Sequence, residues 1–256
     1  MYEIQKASTV KRISALLLDL ILLATVAVGI GSLLSAITKY DSYSDRLQEI
    51  YREYETKYGV DFNITPEDYA ALSDSEKARY NEANTALAEN TEAKDVYNTI
   101  INLIIFNVSI ALFVSFMLME FLIPMLLGNG MTVGKKIFGI AVIRTDGVKI
   151  NRLQLFARSI LGKYTFETMV PVLIVIMLYF GTLGFLGLLI LLAIIVIQTV
   201  LIISTDKNQA IHDVLAYTCL ADYSSTKIFD TEALRDEYLK KLEAEAAERE
   251  NDTYRY

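Results

Sequence analysis

Residues 10–23, VKRISALLLDLILL, carry an arginine and an aspartate into an apolar run, at Arg12 and Asp19. A carboxylate near the middle of a membrane span costs roughly 2.5 to 3.5 kcal/mol on insertion scales, so it should face protein or water and have a partner. Arg12 is a poor one. Seven residues of helix separate the two by roughly 10 Å, and helical side chains lean toward the amino terminus, away from Asp19. Arg12 is better placed at the membrane rim, with Asp213 as its expected carboxylate. Two more polar side chains fall at the depth of Asp19: Glu120 precedes Leu127 by seven residues, and Gln198 precedes Ser204 by six. Asp19, Glu120 and Gln198 are therefore read as one polar layer, about 10 Å inside the cytoplasmic surface.

Two carboxylates in a low dielectric cannot both stay ionised cheaply, so they share a proton or bind a cation. That is the physical requirement for exchanging protons against Na⁺ or K⁺. Thr199, Ser115 and carbonyls freed near Pro124 are candidate oxygen ligands for such a hard cation. The competing reading is structural: the layer fastens helices, with Asp19 or Glu120 bonded to Gln198 or Lys163.

Other chemistry is scarce. His212 is the one histidine and Cys219 the one cysteine, which excludes an intramolecular disulfide and leaves no metal-ligand cluster. His212 is read as packing or capping, with titration near neutral pH beside Asp213 as the alternative. The glycines ahead of Gly134-Lys135 suggest a phosphate loop, but Asn129 stands where glycine is needed and Lys136 where serine or threonine is needed. With no activated nucleophile pair either, no enzyme is expected. No resident cofactor is expected beyond a monovalent cation, and no nucleic-acid partner.

The elements that would position these residues follow from the composition. The chain is 53% hydrophobic, with its apolar residues in blocks at about 13–37, 100–127 and 169–204. A span needs about 20 residues, so the first two blocks are one helix each. The third is a hairpin of two, broken at Gly181-Thr182-Leu183-Gly184. The fold class is an all-α membrane protein: a four-helix transmembrane bundle in a lipid bilayer. The first block is too long for a signal peptide and reads as a retained anchor. Residues 128–166 hold seven cations against Asp146, whereas residues 38–99 hold seven cations and fourteen carboxylates. By the positive-inside rule both termini and residues 128–166 face the cytoplasm of a cell membrane, and the acidic insert faces outward.

The insert reads as a helical hairpin. Tyr43, Leu47, Ile50, Tyr54 and Tyr58 form a stripe at helical spacing that Gly59 stops. Thr65-Pro66-Glu67-Asp68 and Ser73-Asp74-Ser75-Glu76 are helix starts. In residues 128–166, Ile137–Arg144 reads as a strand, Asp146-Gly147 as its turn, and Val148-Lys149-Ile150 as the return strand of a β-hairpin. An amphipathic helix follows, with Leu153, Phe156, Ala157, Ile160 and Leu161 on its apolar face. It should lie in the inner interface, with Arg152, Arg158 and Lys163 at lipid headgroups. Residues 230–250 read as a charged helix with a weak stripe of Leu234, Tyr238 and Leu242. The organisation is thus 1–37, flank and first span; 38–99, acidic extracytoplasmic insert; 100–127, second span; 128–166, cytoplasmic hairpin and interfacial helix; 167–204, third and fourth spans; 205–256, cytoplasmic segment and tail.

Arg12 and Asp19, then Thr132, Gly134, Lys135, Lys136 and Gly139 followed by Asp146-Gly147, then Gln209-Ala210-Ile211-His212-Asp213 resemble the RDD family of integral membrane proteins. The resemblance covers residues 6–38 and about 100–222. The family is named for one arginine and two aspartates, which fall here at Arg12, Asp19 and Asp213. The long acidic insert departs from the family pattern. The resemblance implies a membrane fold, and an activity described only as transport of unidentified ligands, with some members associated with monovalent cation/proton antiport. Two functions are therefore carried forward. One is a small transporter acting through Asp19 and Glu120, as a homo-oligomer because four spans make a thin pathway. The other is a non-transporting scaffold or accessory subunit that binds a protein partner through residues 38–99 or 230–250.

Overall fold

The computed structural model describes residues 3–253, with side chains for 3–249. Among the described residues, four helices are long and apolar enough to cross a membrane: Thr9–Thr38, Thr91–Leu127, Arg152–Tyr179 and Gly184–Ser204. The protein is an all-α membrane protein with one small two-stranded sheet. Gly184–Ser204 buries only Gly187 within the protein, and Leu186, Leu188, Ile195, Val196 and Val200 are exposed. An apolar helix with so little cover within the chain has the length and composition of a membrane span. The third and fourth spans are separated where the apolar block is broken: Gly181 and Gly184 have φ of 71° and 52°, a region glycine enters without steric cost.

The chain divides into two compact units, residues 28–111 and residues 1–27 with 112–256. In the first of these, Tyr40–Tyr58 is a helix stopped by Gly59 in the left-handed region, whose N–H returns to the Glu55 carbonyl. Thr65 and Ser73 each close a capping box, with Asp68 and Glu76, so both short helices start where their side chains satisfy free N–H groups. Ile50 and Ala83 are buried where Tyr40–Tyr58 packs on Asp74–Glu89. A chain of rings, Tyr51–Phe62–Tyr80–Tyr69, with centroids 6.0, 5.8 and 5.1 Å apart, closes the turn end. Asn107 donates to Thr38 at 3.1 Å.

In the other unit, two expectations from the sequence are corrected. The strand β1 (Ile140–Arg144) does not take its partner from the run after Asp146-Gly147. It pairs antiparallel with β2 (Thr218–Asp222), in the register Ile140 with Asp222 through Arg144 with Thr218. The turn forms, but the return run contributes single bridges: Lys149 to Ile143, and Val148 to Phe229. The Lys149 N–H goes to the Phe229 carbonyl, so the return strand is claimed by the segment that leads into the tail. Ala141, Ile143, Cys219 and Ala221 form the buried centre of this layer.

The second correction concerns residues 152–166. They are no separate interfacial helix: Arg152–Tyr179 is continuous, and its middle, Ala157–Met169, is wound as π-helix. A π-turn closes its hydrogen bond five residues on rather than four, so residues five apart stack on one face. Arg158 and Lys163 are five apart. Read at α-helical spacing they fall off the apolar face toward headgroups; in π register they point together into the protein, where Arg158 is 3% exposed. The second span loosens in the same way at Met117–Leu122, which carries Glu120.

Candidate functional site

Asp19 is 7% exposed and fully engaged by a segment 113 residues away in sequence. Its Oδ1 accepts the Gly134 N–H at 2.7 Å and its Oδ2 accepts the Thr132 hydroxyl. Thr132 is the N-cap of the short helix Val133–Ile137, where its Oγ1 also accepts from the Lys135 N–H. The approach depends on Gly134: a Cβ there would lie 2.5 Å from the Ala15 carbonyl oxygen and 2.9 Å from the Asp19 carboxyl carbon.

Lys135 joins the two carboxylates. Its buried Nζ lies 3.5 Å from Asp19 Oδ2 and 3.9 Å from Glu120 Oε2, and donates to Thr132 Oγ1 at 3.0 Å. Glu120 takes a closer cation on its other oxygen, Lys163 Nζ at 2.7 Å. Its backbone carbonyl accepts the Ser159 hydroxyl at 2.5 Å, which ties the π-wound stretches of the second and third spans together. Burial pushes the Lys135 ammonium down to about 8, further than the Glu120 and Asp19 carboxylates hold it up, and the Lys163 charge adds to the lowering. A lysine so placed sits close to losing its proton near physiological pH.

A second buried cluster lies beside the first. Arg158 Nη1 donates to Asp213 Oδ1, and to Thr218 Oγ1 at 2.7 Å. The Thr218 hydroxyl in turn reaches Asp213 Oδ1 at 3.1 Å. Arg158 Nη2 is buried without a hydrogen-bond partner among the described residues. His212 Nδ1 and its backbone N–H both meet Glu167, at 2.8 and 3.0 Å. Burial first, then the Arg158 charge, hold the His212 imidazole down to about 3 despite Glu167. That direction favours a neutral, packed histidine over titration near neutral pH. Gly162 admits it: a Cβ at 162 would lie 2.5 Å from His212 Cβ.

The expected partner of Arg12 is thus taken. Asp213 pairs with Arg158, while Arg12 gives its Nη2 to the Asn208 carbonyl at 2.9 Å. The polar layer is also rearranged. Asp19 and Glu120 come together, but through Lys135, and Gln198 stands apart from them, accepting the Ile211 N–H at 3.0 Å. Thr199 bonds back to the Ile195 carbonyl. Gly139, with φ of 66°, turns the chain into β1 and does not touch the cluster. A cavity of about 360 Å³ adjoins both clusters, bordered by Asp19, Lys135, Arg158, Lys163, Glu167 and Gln198 among others. No group of three His, Cys, Asp or Glu suited to a metal ion occurs among the described residues.

Sequence reasoning named Lys135 only among the residues that carry the family resemblance and missed its place between the carboxylates, and it missed Arg158 and Glu167 as members of the site. The lysine and the arginine were counted among the positive-inside cations. The spacing Gly134-Lys135 after Thr132 is the signal that could have found the bridge, because a capped helix start offers N–H groups to a carboxylate.

A family model, that of the RDD family, matches residues 6–217. No curated protein and no solved structure matches the chain.

Proposed function

The chain belongs to the RDD family, and from that premise we propose that it is a small secondary transporter, exchanging a monovalent cation for a proton at the Asp19–Lys135–Glu120 cluster. The observation that carries this reading is Lys135 Nζ buried between two carboxylates, 3.5 Å from one and 3.9 Å from the other. A cation is required there while both carboxylates are charged. The lysine supplies it when protonated. When it gives up its proton, Na⁺ or K⁺ takes its place, with Asp19, Glu120 and Thr132 supplying oxygen ligands. The proton leaves as the metal ion enters, and the net charge of the cluster is unchanged. Lys163 stays on Glu120 throughout.

Orientation follows the positive-inside rule: both termini and residues 128–166 on the cytoplasmic side of the cell membrane, the insert outside. No chemical step is assigned to the protein, and its working form is a homo-oligomer.

The sign of the pH dependence is set by Lys135. Because its folded-state value is lowered to about 8, the neutral amine grows as pH rises through 8, and cation affinity rises with it. In proteoliposomes under an imposed pH gradient, wild-type protein should move Na⁺ or K⁺, with the apparent cation KM falling as pH is raised from 7 to 9. Asp19→Asn should lower flux by at least about tenfold, as loss of one charged ligand costs 1.4 kcal/mol or more. Absence of flux for Na⁺, K⁺ and protons, or unchanged flux in Asp19→Asn, would sink the reading.

One observation favours the scaffold instead: every carboxylate of the clusters already has a partner, so the network also serves to fasten residues 132–137 and 211–218 to the spans. Under that reading, crosslinking in native membranes followed by mass spectrometry recovers one dominant protein partner on residues 38–99 or 230–250, and proteoliposomes carry no flux.

A further inference from the structure

The ion pairs leave cationic hydrogen-bonding capacity unused on one side of the cavity. Arg12 and Arg158 both border it. No carboxylate forms an ion pair with Arg12 among the described residues, and its Nη2 donates to the Asn208 carbonyl. Arg158 spends Nη1 on Asp213 and Thr218, while its buried Nη2 has no partner. A buried guanidinium nitrogen left unbonded is costly, and the two arginines are close enough for the charge of Arg12 to act on Arg158. Two like charges, one of them incompletely bonded, on the wall of one cavity fit an anion with several acceptor oxygens.

The rest of the wall is mixed: Lys135, Lys163 and the carboxylates Asp19, Glu167 and Asp213, each already engaged by a partner within the protein, border it together with an apolar wall on one side. Ile13 and Leu16 of the first span and Ile202 of the fourth border the same cavity, and they are 52%, 58% and 38% exposed. The apolar wall is therefore continuous with the exposed apolar surface of the first and fourth spans. Arg12 stands in the first turn of its span, at the depth of phospholipid headgroups. At about 360 Å³ the cavity lies in the range of small-molecule sites, about 300 to 1,000 Å³. That is room for a phosphate and its glycerol, with the acyl chains lying outside.

We propose that this cavity binds one anionic phospholipid, its phosphate held between Arg12 and Arg158 Nη2 and an acyl chain running along Ile13, Leu16 and Ile202. The apolar wall selects a lipid over a free phosphate ion, because an ion would leave that wall facing nothing. Arg12, the first of the family's three named residues, is then a lipid-binding residue, while the two aspartates serve the ion clusters. The site is independent of the transport reading: it binds lipid whether or not the Asp19–Lys135–Glu120 cluster moves a cation.

The test uses the full-length protein, purified in a mild detergent and stripped of lipid, with dioleoyl phosphatidylglycerol and dioleoyl phosphatidylcholine as probes in native mass spectrometry. The expected result is one tightly bound phosphatidylglycerol per chain, with affinity at least about tenfold above that for phosphatidylcholine. Arg12→Gln, which breaks no ion pair and removes one bond to the Asn208 carbonyl, should lower that affinity at least about tenfold. Ile202→Asp, at a half-exposed position, should also lower the affinity at least about tenfold, by setting a carboxylate against the acyl chain. Equal affinity for the two lipids, or affinity unchanged in both variants, overturns the proposal. Displacement of the lipid by millimolar inorganic phosphate also overturns it, by assigning the arginines to a free anion.

Discussion

Replacing Arg158 by methionine is expected to lower the unfolding free energy by about 3 to 5 kcal/mol, the usual result of removing one partner from a buried ion pair. Asp213 is 1% exposed and takes its charge-assisted bond from Arg158 Nη1, with Thr218 and the Ala210 N–H as its other partners. Without the guanidinium, a carboxylate is left in the packed region between the third span, the helix Ile211–Ala216 and β2, with no cation beside it. Removing both charges, in Arg158→Met with Asp213→Leu, should restore most of the loss, since an apolar pair of similar volume is often as stable as the ion pair. The two costs are thus strongly non-additive, and a double-mutant cycle measures the coupling directly. Chemical unfolding in mixed micelles, followed by circular dichroism, reads all four proteins. A single-variant loss below about 1 kcal/mol would mean that Arg158 and Asp213 are not a structural pair.

The second large effect is expected at Gly134. An alanine Cβ there would fall 2.5 Å from the Ala15 carbonyl oxygen, which is backbone and cannot rotate away, and 2.9 Å from the Asp19 carboxyl. Either the first span or the helix Val133–Ile137 must move. Overpacking of this kind costs about 1 to 3 kcal/mol, and the Asp19 bond to the Gly134 N–H is lost with it. Gly29→Ala is the matched control. A Cβ at Gly29 meets nothing within 4 Å, and alanine is the better helix former by roughly 0.5 to 1 kcal/mol, so that variant should be neutral or more stable. Melting curves of the two variants should diverge in opposite directions from wild type. Equal behaviour would refute the close approach on which the Asp19 site depends.

What the sequence made legible was mostly local. The four apolar stretches, the glycine break before the fourth span, Gly59 and the two capping boxes are decided by neighbours within a few residues and lie in helices or at helix ends as their patterns indicate, although the second and third helices start upstream, at Thr91 and Arg152. The insert was readable for the same reason. The pairing of β1 was not: Asp146-Gly147 is a strong local turn signal, but the five residues that complete the sheet lie more than 70 positions on, in a short run with no turn of its own. Arg158 and Lys163 were misplaced for a different reason. Their positions were projected at α-helical spacing, whereas the third span is π-wound through Ala157–Met169. Nothing in the composition announces that winding. Once it is present, Arg158 becomes the partner of Asp213 in place of a headgroup, and Lys163, which the structural reading had offered to Asp19 or Glu120, is the partner of Glu120. Depth arithmetic brought Asp19 and Glu120 to one level correctly, but it could not supply the lysine between them, because Lys135 comes from a segment outside the spans.

The central claim is that Lys135 and a monovalent cation compete for one place between Asp19 and Glu120, so that binding the cation expels a proton. Titration of purified, weakly buffered protein at pH 7.5 with NaCl or KCl, with N-methylglucamine chloride as control, tests it directly. At that pH most chains still hold the Lys135 proton, its value being about 8. The prediction is release of up to about one proton per chain on cation binding, saturable with Na⁺ or K⁺, absent with N-methylglucamine, and lost in Lys135→Met. No proton release with either cation, or release undiminished in Lys135→Met, would contradict the exchange.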